Sequence, residues 1–290
     1  MGRIVRLKDV LEQILSKHQY PENVSMALAE TTALAALCAA RLKFDGLFTL
    51  QLQGNGPVSL LVADVMADGK IRATAKFDQE KLNNAKNLRK TQDIIEETPH
   101  LVGGGYLALT LDEQNGLPPY QGVVDLQGNN LSEIALRYFK NSEQIDTLIK
   151  LFVSKPKNSK FPVAGGILLQ KVPLKGGRQN TDETAQTWED AKAFLDTLKA
   201  DEMFDTKLTQ PDILHRLFHQ HHLSISGNKT YTFGCRCSRE KLKKTLLSFG
   251  TDEINSLCDA QGKIIATCHF CSQKYIFDKD EFETQEKNLQ

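Results

Sequence analysis

The sequence of 290 residues has no excess of charge of either sign and no long uninterrupted apolar run. Lysine and arginine number 36, as do aspartate and glutamate, so no overall positive field attracts nucleic acid or anionic lipid. No apolar run approaches the roughly 18 to 20 residues that span a bilayer. Residues 1–6 alternate charged and apolar side chains and lack the apolar core of a signal peptide. These absences predict a cytoplasmic protein with neither a nucleic-acid nor a membrane partner.

Nucleotide-binding and catalytic motifs are also missing. Gly103-Gly104-Gly105 falls inside an apolar stretch that predicts a strand, and no helix follows it. A phosphate-binding loop would need that helix, with a lysine and a serine or threonine at its start. No local grouping of nucleophile, histidine and carboxylate can be assembled. The sequence therefore indicates no enzyme, and close backbone packing is the preferred explanation of the glycines.

The spacing of apolar residues predicts an α+β fold in three parts. We predict an N-terminal mixed sheet-and-helix domain over residues 1–174, a helical linker over 175–232 and a small C-terminal four-cysteine zinc domain over 233–290. The predicted helices of the first domain span 7–17, 23–42 and 132–139, and its predicted strands span 47–53, 58–63, 70–75, 101–111, 121–126 and 164–170.

The linker has too few apolar residues to fold alone. The linker begins with a polar break at 175–181 and contains two predicted helices. The second of them, Thr209–Phe218, is opened by Thr209. The apolar stripe is thin and the acidic content is high, so the segment must pack against another surface. The first linker helix is indicated by four apolar residues at helical spacing: Trp188, Ala191, Leu195 and Leu198.

Four histidines cluster at the end of the linker helices: His215, His219, His221 and His222. Such a cluster could suggest a second metal site. A helix C-terminus also favours protonated histidine through the helix dipole. We interpret the four as solvated residues at that helix end.

The six cysteines are unevenly distributed. Cys38 lies in an alanine- and leucine-rich helical run, where a small buried core residue is expected. The other five all fall near the C-terminus, and four of them form the pattern C-x-C-x30-C-x-x-C. Paired cysteines in a reduced compartment predict a structural zinc site. The predicted ligands are Cys235, Cys237, Cys268 and Cys271.

The proposed zinc ligands could also sense oxidants. Sulfurs around a tetrahedral zinc ion are about 3.8 Å apart, given Zn–S bonds of about 2.3 Å. A disulfide needs about 2.05 Å, so oxidation must eject the ion. Two interpretations remain open on these grounds: an inert zinc staple, which the residues alone favour, and a redox-gated folding switch. Cys258 matches neither pair and is interpreted as a core filler, with a resolving thiol as the alternative.

The segment Phe233-Gly234-Cys235-Arg236-Cys237-Ser238-Arg239-Glu240, taken with Cys268-His269-Phe270-Cys271, resembles the 33-kilodalton chaperonin family of redox-regulated bacterial heat-shock holdases. The likeness extends to residues 42–46, 51–57, 120–124, 142–144 and 164–170. It implies zinc in a reduced, inactive form and disulfides Cys235–Cys237 and Cys268–Cys271 in an active form. Zinc release, linker unfolding, dimerisation and ATP-independent binding of unfolding client proteins are implied with them.

The resemblance also implies where clients bind. Linker release would expose the sheet surface beneath it and four linker residues, Trp188, Phe194, Leu195 and Leu198. Two features depart from the family. The chain begins about one strand's length later than is usual, which leaves a missing edge strand and a misassigned start site as alternatives. The histidine cluster stands where an acidic run is expected.

Two rival functions fit the sequence less well than the chaperone. A zinc-ribbon nucleic-acid binder needs a basic surface, yet residues 231–290 hold nine lysines and arginines against nine aspartates and glutamates, a difference of zero. A thiol–disulfide oxidoreductase would place Cys268-x-x-Cys271 at a helix start, whereas Tyr275-Ile276-Phe277 just beyond predicts a strand. The prediction is therefore a chaperone without enzymatic activity.

Overall fold

The computed structural model describes residues 1–86, 97–171, 181–220, 223–225, 227 and 229–283. Most of the polar break predicted at 175–181, together with His221 and His222, lies outside the described residues. The chain divides into two compact units, Met1–Phe233 and Gly234–Gln290. Helices and strands both contribute to each unit, so the predicted α+β class is confirmed.

The first unit contains nine of the described strands and eight of the described α-helices. Its strands are β1 (Gly2–Leu7), β2 (Leu47–Gly54), β3 (Val58–Met66), β4 (Lys70–Phe77), β5 (Gly105–Asp112), β6 (Tyr120–Asp125), β7 (Thr147–Ser154), β8 (Val163–Gln170) and β9 (Thr232–Phe233). Its α-helices are α1 (Asp9–Leu15), α2 (Glu22–Arg41), α3 (Gln79–Lys86), α4 (Glu97–Val102), α5 (Leu131–Tyr138), α6 (Thr181–Thr197), α7 (Ala200–Met203) and α8 (Gln210–Phe218). A π-helical turn, Phe139–Glu143, continues α5.

Two sheets share one hydrophobic core in this unit. The larger has the strand order β6-β5-β2-β3-β4-β9 and is antiparallel except where β9 joins β4 in parallel. The smaller has the order β1-β8-β7 and is antiparallel throughout. Residues Gly2–Leu7 therefore form an edge strand of the smaller sheet. Helix α2 contacts strands of both sheets, and its side chains fill the core between them.

Helix α2 corrects one expectation from the sequence. By length and composition alone, this helix of 20 residues could cross a membrane, since the mean hydropathy of its most apolar window is 1.3. Interspersed alanines and threonines conceal this property when only unbroken apolar runs are counted. Within the fold, 83% of that window is buried, as expected of a core helix.

The strand predicted over 101–111 is wrong at its start. Residues 101–102 close α4, Gly103 follows with φ of +75°, and β5 begins only at Gly105. The reason is the close approach of β2: a Cβ at Gly105 would lie 1.9 Å from the backbone oxygen of Gln53. The prediction of close backbone packing is confirmed at Gly103 and Gly105, but not at Gly104, where a Cβ would meet only the Asn55 side chain at 3.7 Å or more.

The linker helices α6, α7 and α8 cover one side of the three-stranded sheet. Side chains alternate along a strand, so in β1 and β7 the even-numbered residues, such as Ile4 and Phe152, face the linker, and in β8 the odd-numbered Ile167 and Leu169 do so. Odd-numbered neighbours such as Val5 and Leu151 join the main core. We call the covered side the linker face; its apolar members are Ile4, Leu148, Phe152, Ile167 and Leu169. The expectation that the linker packs against another surface is confirmed.

The second unit is a small mixed structure. Its described elements are α9 (Arg239–Leu246), α10 (Thr251–Leu257), β10 (Lys263–Thr267), β11 (Lys274–Asp278) and α11 (Asp280–Glu283). Strands β10 and β11 form an antiparallel hairpin, with Ile264 opposite Phe277 on its buried side. Among the residues described in this unit, the buried core is completed by Leu246 and Ile254.

Candidate metal centre

Two local structures hold the four cysteines of the second unit. Cys235 and Cys237 precede α9, whose first turn is capped by Ser238 through a 3.2 Å hydrogen bond from the Lys241 amide. Cys268 and Cys271 lie in the tight turn that joins β10 to β11. In that turn the Ser272 amide donates to the Cys268 oxygen at 2.9 Å, and Ser272 has φ of +57°. The C-x-x-C segment thus forms a knuckle that directs both sulfurs to one side.

The four sulfurs converge on a single point. All lie within 4.8 Å of one another, with 3.6 Å between the sulfurs of Cys235 and Cys268 and 3.4 Å between those of Cys237 and Cys271. These distances are near the roughly 3.8 Å edge of a tetrahedral zinc–thiolate site and well beyond the roughly 2.05 Å of a disulfide. The four cysteines are free thiols and can hold one metal ion. Among the described residues, no other group of histidine, cysteine and carboxylate side chains does so.

The charge state of the cysteines responds to their mutual contacts. Burial raises the pKa of Cys235, but hydrogen bonds from the Cys237 backbone and the neighbouring thiols outweigh it and lower the pKa to about 7. Burial raises the pKa of Cys237 and of Cys271 above the usual thiol value. A bound cation would favour the thiolate form that metal binding requires of the four cysteines.

A tyrosine side chain also touches the cluster. The Tyr275 hydroxyl on β11 lies 3.3 Å from the Cys237 sulfur. This hydrogen bond, ahead of burial, raises the pKa of Tyr275 to about 12, so the hydroxyl keeps its proton and is able to donate it to the sulfur. No local sequence pattern singles out Tyr275; the one available signal is its position on the predicted strand just after the knuckle.

The core of this unit is too small to be stable on packing alone. Its four buried apolar residues are accompanied by a few partly buried ones, and units of this size usually need a staple. Surface contacts add little: the partly exposed Arg239 lies over the ring of the buried Phe277 at 4.3 Å and pairs with the partly exposed Glu281 at 2.6 Å. A metal at the four sulfurs would supply the missing stabilisation.

The other cysteines take structural positions. Cys38 is fully buried in α2, and burial raises its pKa to about 12, which confirms a core residue. Cys258 lies at the end of α10, where its thiol donates to the Ile254 oxygen at 3.4 Å and packs against the small core. It is not a member of the four-sulfur cluster.

The histidines and the predicted client-binding residues lie in the first unit. His215 and His219 are exposed at the end of α8, as expected for solvated residues. Leu195 and Leu198 are 3% and 2% exposed on the linker face, and Trp188 and Phe194 are half-buried. The placement of the C-x-x-C turn between two strands also differs from the helix start that a thiol–disulfide oxidoreductase would use.

Comparison with known proteins extends this picture to the whole chain. The family model described as Hsp33 protein matches residues 1–278. A 33 kDa chaperonin of Caulobacter vibrioides is 34% identical over 280 residues, covering 96% of this chain and 90% of the relative. A 33 kDa chaperonin of Shewanella loihica is 35% identical over 287 residues, covering 99% and 91% respectively.

A solved structure shows the same fold. The crystal structure of the 33 kDa chaperonin (heat shock protein 33 homolog) from Thermotoga maritima superposes with a TM-score of 0.78 at 22% identity, covering 99% of this chain and 93% of that one. The full-length family match, the relatives at 34% and 35% identity and the four-cysteine centre agree. The chain belongs to the Hsp33 family of chaperones.

Proposed function

We propose that the chain is a redox-regulated, ATP-independent holdase that is inactive while its four cysteines hold zinc. The observation that carries this proposal is the convergence of four free sulfurs within 4.8 Å in a unit whose own core holds only four buried apolar residues. Such a unit folds when the metal is bound and unfolds when the ligands are lost. A chemical change at the sulfurs is thereby converted into a change of structure.

The donor set fits zinc. Four thiolates at tetrahedral spacing form one of the common closed structural sites for this ion. When bound, zinc would supply an apparent folding free energy of about 10 to 16 kcal/mol at neutral pH. Cys235, Cys237, Cys268 and Cys271 would be the ligands, and the Tyr275 hydroxyl would stabilise the Cys237 thiolate.

Oxidation would remove the ligands. Within each pair, two thiolates and two protons react with one molecule of hydrogen peroxide to form one disulfide and two molecules of water. Two electrons pass from the sulfurs to the peroxide, and the full change consumes two peroxides. We assign the disulfides to Cys235–Cys237 and Cys268–Cys271. Sulfurs bonded at about 2.05 Å can no longer bind one ion together.

The linker would then leave the three-stranded sheet. Its apolar residues are too few to keep it folded, and its release uncovers Leu195 and Leu198 together with the linker face beneath them. Large apolar surfaces of this kind bind unfolding proteins without a nucleotide. We assign client binding to these surfaces, including Trp188 and Phe194, and expect the oxidised chain to act as a homodimer in the cytoplasm without nucleic-acid or membrane partners.

The domain assignment follows from this mechanism. Residues 1–174 would bind clients and dimerise, residues 175–232 would act as the metastable linker, and residues 233–290 would sense the oxidant. Homologues are named chaperonins, and we propose no enzymatic activity for this chain.

The test uses the reduced, zinc-loaded full chain. Peroxide or hypochlorite is added while a chromophoric chelator reports zinc release and light scattering reports aggregation of a thermally unfolding client. We expect one zinc per chain to be released and aggregation to be suppressed. Zinc release with unabated aggregation would overturn the holdase assignment.

Matched variants localise the effect. Cys258→Ser removes a cysteine of the same unit that lies outside the cluster, so both zinc binding and activation are expected to persist. Cys268→Ser removes one ligand and should abolish stoichiometric zinc binding.

A further inference from the structure

Two cations lie on the linker face among its apolar side chains. Arg6 on β1 and Lys150 on β7 are even-numbered residues, so the alternation of each strand directs them to the same side as Ile4 and Phe152. A charged group on a surface that is covered by packing must find acceptors there. Both cations find them on the backbone of the linker.

Lys150 contacts the C-terminal end of the first linker helix. Its Nζ donates to the Asp196 oxygen at 2.7 Å and to the Leu195 oxygen at 3.2 Å. The last carbonyls of a helix lack intrahelical partners and carry the negative end of the helix dipole. The ammonium group therefore satisfies the Asp196 oxygen, gives a second donor to the Leu195 oxygen, which also accepts from the Leu198 amide at 3.2 Å, and complements the dipole of α6. The Leu195 side chain packs on the sheet.

Arg6 contacts the connection between α7 and α8. Its Nη1 donates to the Leu208 oxygen at 2.9 Å and to the Asp205 oxygen at 3.2 Å. Its Nε and Nη2 are buried without a hydrogen-bond acceptor, and burial lowers the pKa of this arginine. The cost of those two unpaired donors offsets part of the gain, so Arg6 is the weaker of the two anchors.

We propose that Lys150, assisted by Arg6, is an electrostatic latch that holds the linker on the three-stranded sheet. The inference rests on the proposed function, in which the linker covers the linker face until oxidation. Apolar contact alone cannot fix the ends of helices, because carbonyls there need donors as well as packing. The latch supplies those donors from the three-stranded sheet. The resistance of the linker to release is therefore set in part by Lys150 and Arg6 of that sheet and not only by the cysteines.

The latch is tested in the reduced, zinc-loaded full chain, without oxidant or client. Lys150→Met keeps the apolar stem and removes the ammonium group, and Lys150→Arg keeps a charged donor. Lys157→Met, in the exposed turn between β7 and β8, is the matched control for charge. Chymotryptic cleavage of the linker and the emission of Trp188, the one tryptophan of the chain, report release.

We expect Lys150→Met to increase the rate of linker cleavage about tenfold, because charge-assisted hydrogen bonds to two carbonyls are lost. Arg6→Met should have a smaller effect, the double variant a larger one, and Lys150→Arg should remain near the parent. Zinc content should stay at one per chain in all of them.

Cleavage of Lys150→Met at the rate of Lys157→Met would overturn the latch. Equal acceleration at sites within β2–β5 would overturn it as well, because it would indicate general destabilisation. Neither result bears on whether the oxidised chain protects clients, so failure of the latch and failure of the holdase are distinguishable.

Discussion

The Tyr275 hydroxyl lies 3.3 Å from the Cys237 sulfur and reaches the four-cysteine cluster from outside it. Strand β11 places it there, with Tyr275 directly opposite Ala266 on β10. Because the tyrosine remains protonated at neutral pH, it can donate to a thiolate. Groups in this position tune how strongly a ligand binds metal and how readily it reacts.

Replacing Tyr275 with phenylalanine should loosen the metal centre. The loss of one donor to Cys237 is expected to lower zinc affinity about tenfold, the lower end of the usual range for such partners, and to speed zinc release by peroxide. Competition with a chromophoric chelator measures the affinity. Tyr106→Phe, which removes a hydroxyl bonded to Gln53 in the other unit, should leave affinity unchanged. An unchanged affinity in Tyr275→Phe would show that the contact has no role.

A buried carboxyl group should make the stability of the first unit fall as the pH rises from the acidic range towards 8. Glu30 in α2 is fully buried, accepts a 2.6 Å hydrogen bond from Thr98, and has its pKa raised by burial to about 8. The folded state therefore holds a proton that the unfolded state, with a pKa of about 4.3, has already lost. Stability is highest below that unfolded value, falls as pH rises towards 8, and levels off above it.

Between the unfolded and folded pKa values of Glu30, the free energy of unfolding should fall by at most about 1.4 kcal/mol per pH unit. Denaturant unfolding between pH 5 and 9, monitored by the hydrogen exchange of the α2 amides, measures this pH dependence. Glu30→Gln should remove most of the dependence, whereas Glu22→Gln, at an exposed position at the start of the same helix, should preserve it. A pH-independent parent would contradict the assignment.

The fold was predictable where local pattern decides it. Alternation placed β2 and β8, and the cysteine spacing alone identified the four cysteines that converge, because a two-residue interval permits the knuckle seen at Cys268 and Cys271. The start of β5 was not predictable, since a backbone approach from Gln53, far away along the chain, determines it. The roles of Lys150 and Tyr275 were missed for the same reason. The nearest partner of Lys150 along the chain, Leu195, is 45 residues away, and the partner of Tyr275, Cys237, is 38 residues away.

The disulfide pairing can be settled by mapping. In the structure, sulfurs that belong to different pairs lie only 3.6 Å and 3.4 Å apart, yet we expect Cys235–Cys237 and Cys268–Cys271 in the oxidised chain. Once the unit unfolds, closing a loop over one or two intervening residues costs less chain entropy than closing one over thirty. Mass spectrometry of peptides from peroxide-treated protein distinguishes the pairings, and predominant Cys235–Cys268 linkage would contradict this one.

Two adjacent glycines offer a matched test of the packing between β2 and β5. A Cβ at Gly105 would lie 1.9 Å from the Gln53 oxygen, whereas a Cβ at Gly104 would meet Asn55 atoms only at 3.7 and 3.8 Å. Gly105→Ala is therefore expected to destabilise the first unit by several kcal/mol, on the order of the largest single-residue effects, and Gly104→Ala by less than about 1 kcal/mol. Denaturant titration measures both, and equal effects would show that the strands can separate.

Removal of zinc should unfold the second unit while the main core of the first remains folded. Amide hydrogen exchange resolves the two, because β10 and β11 report one unit and α2 reports the other. With a reductant and a strong chelator, the hairpin amides of Ile264 and Phe277 should lose protection, since only four buried apolar residues support them. The amides of α2, in a core that contains no metal ligand, should stay protected. Restoring zinc should restore the hairpin, whereas hairpin protection that survives chelation would show that packing alone stabilises the unit and that the cysteines cannot act as its switch.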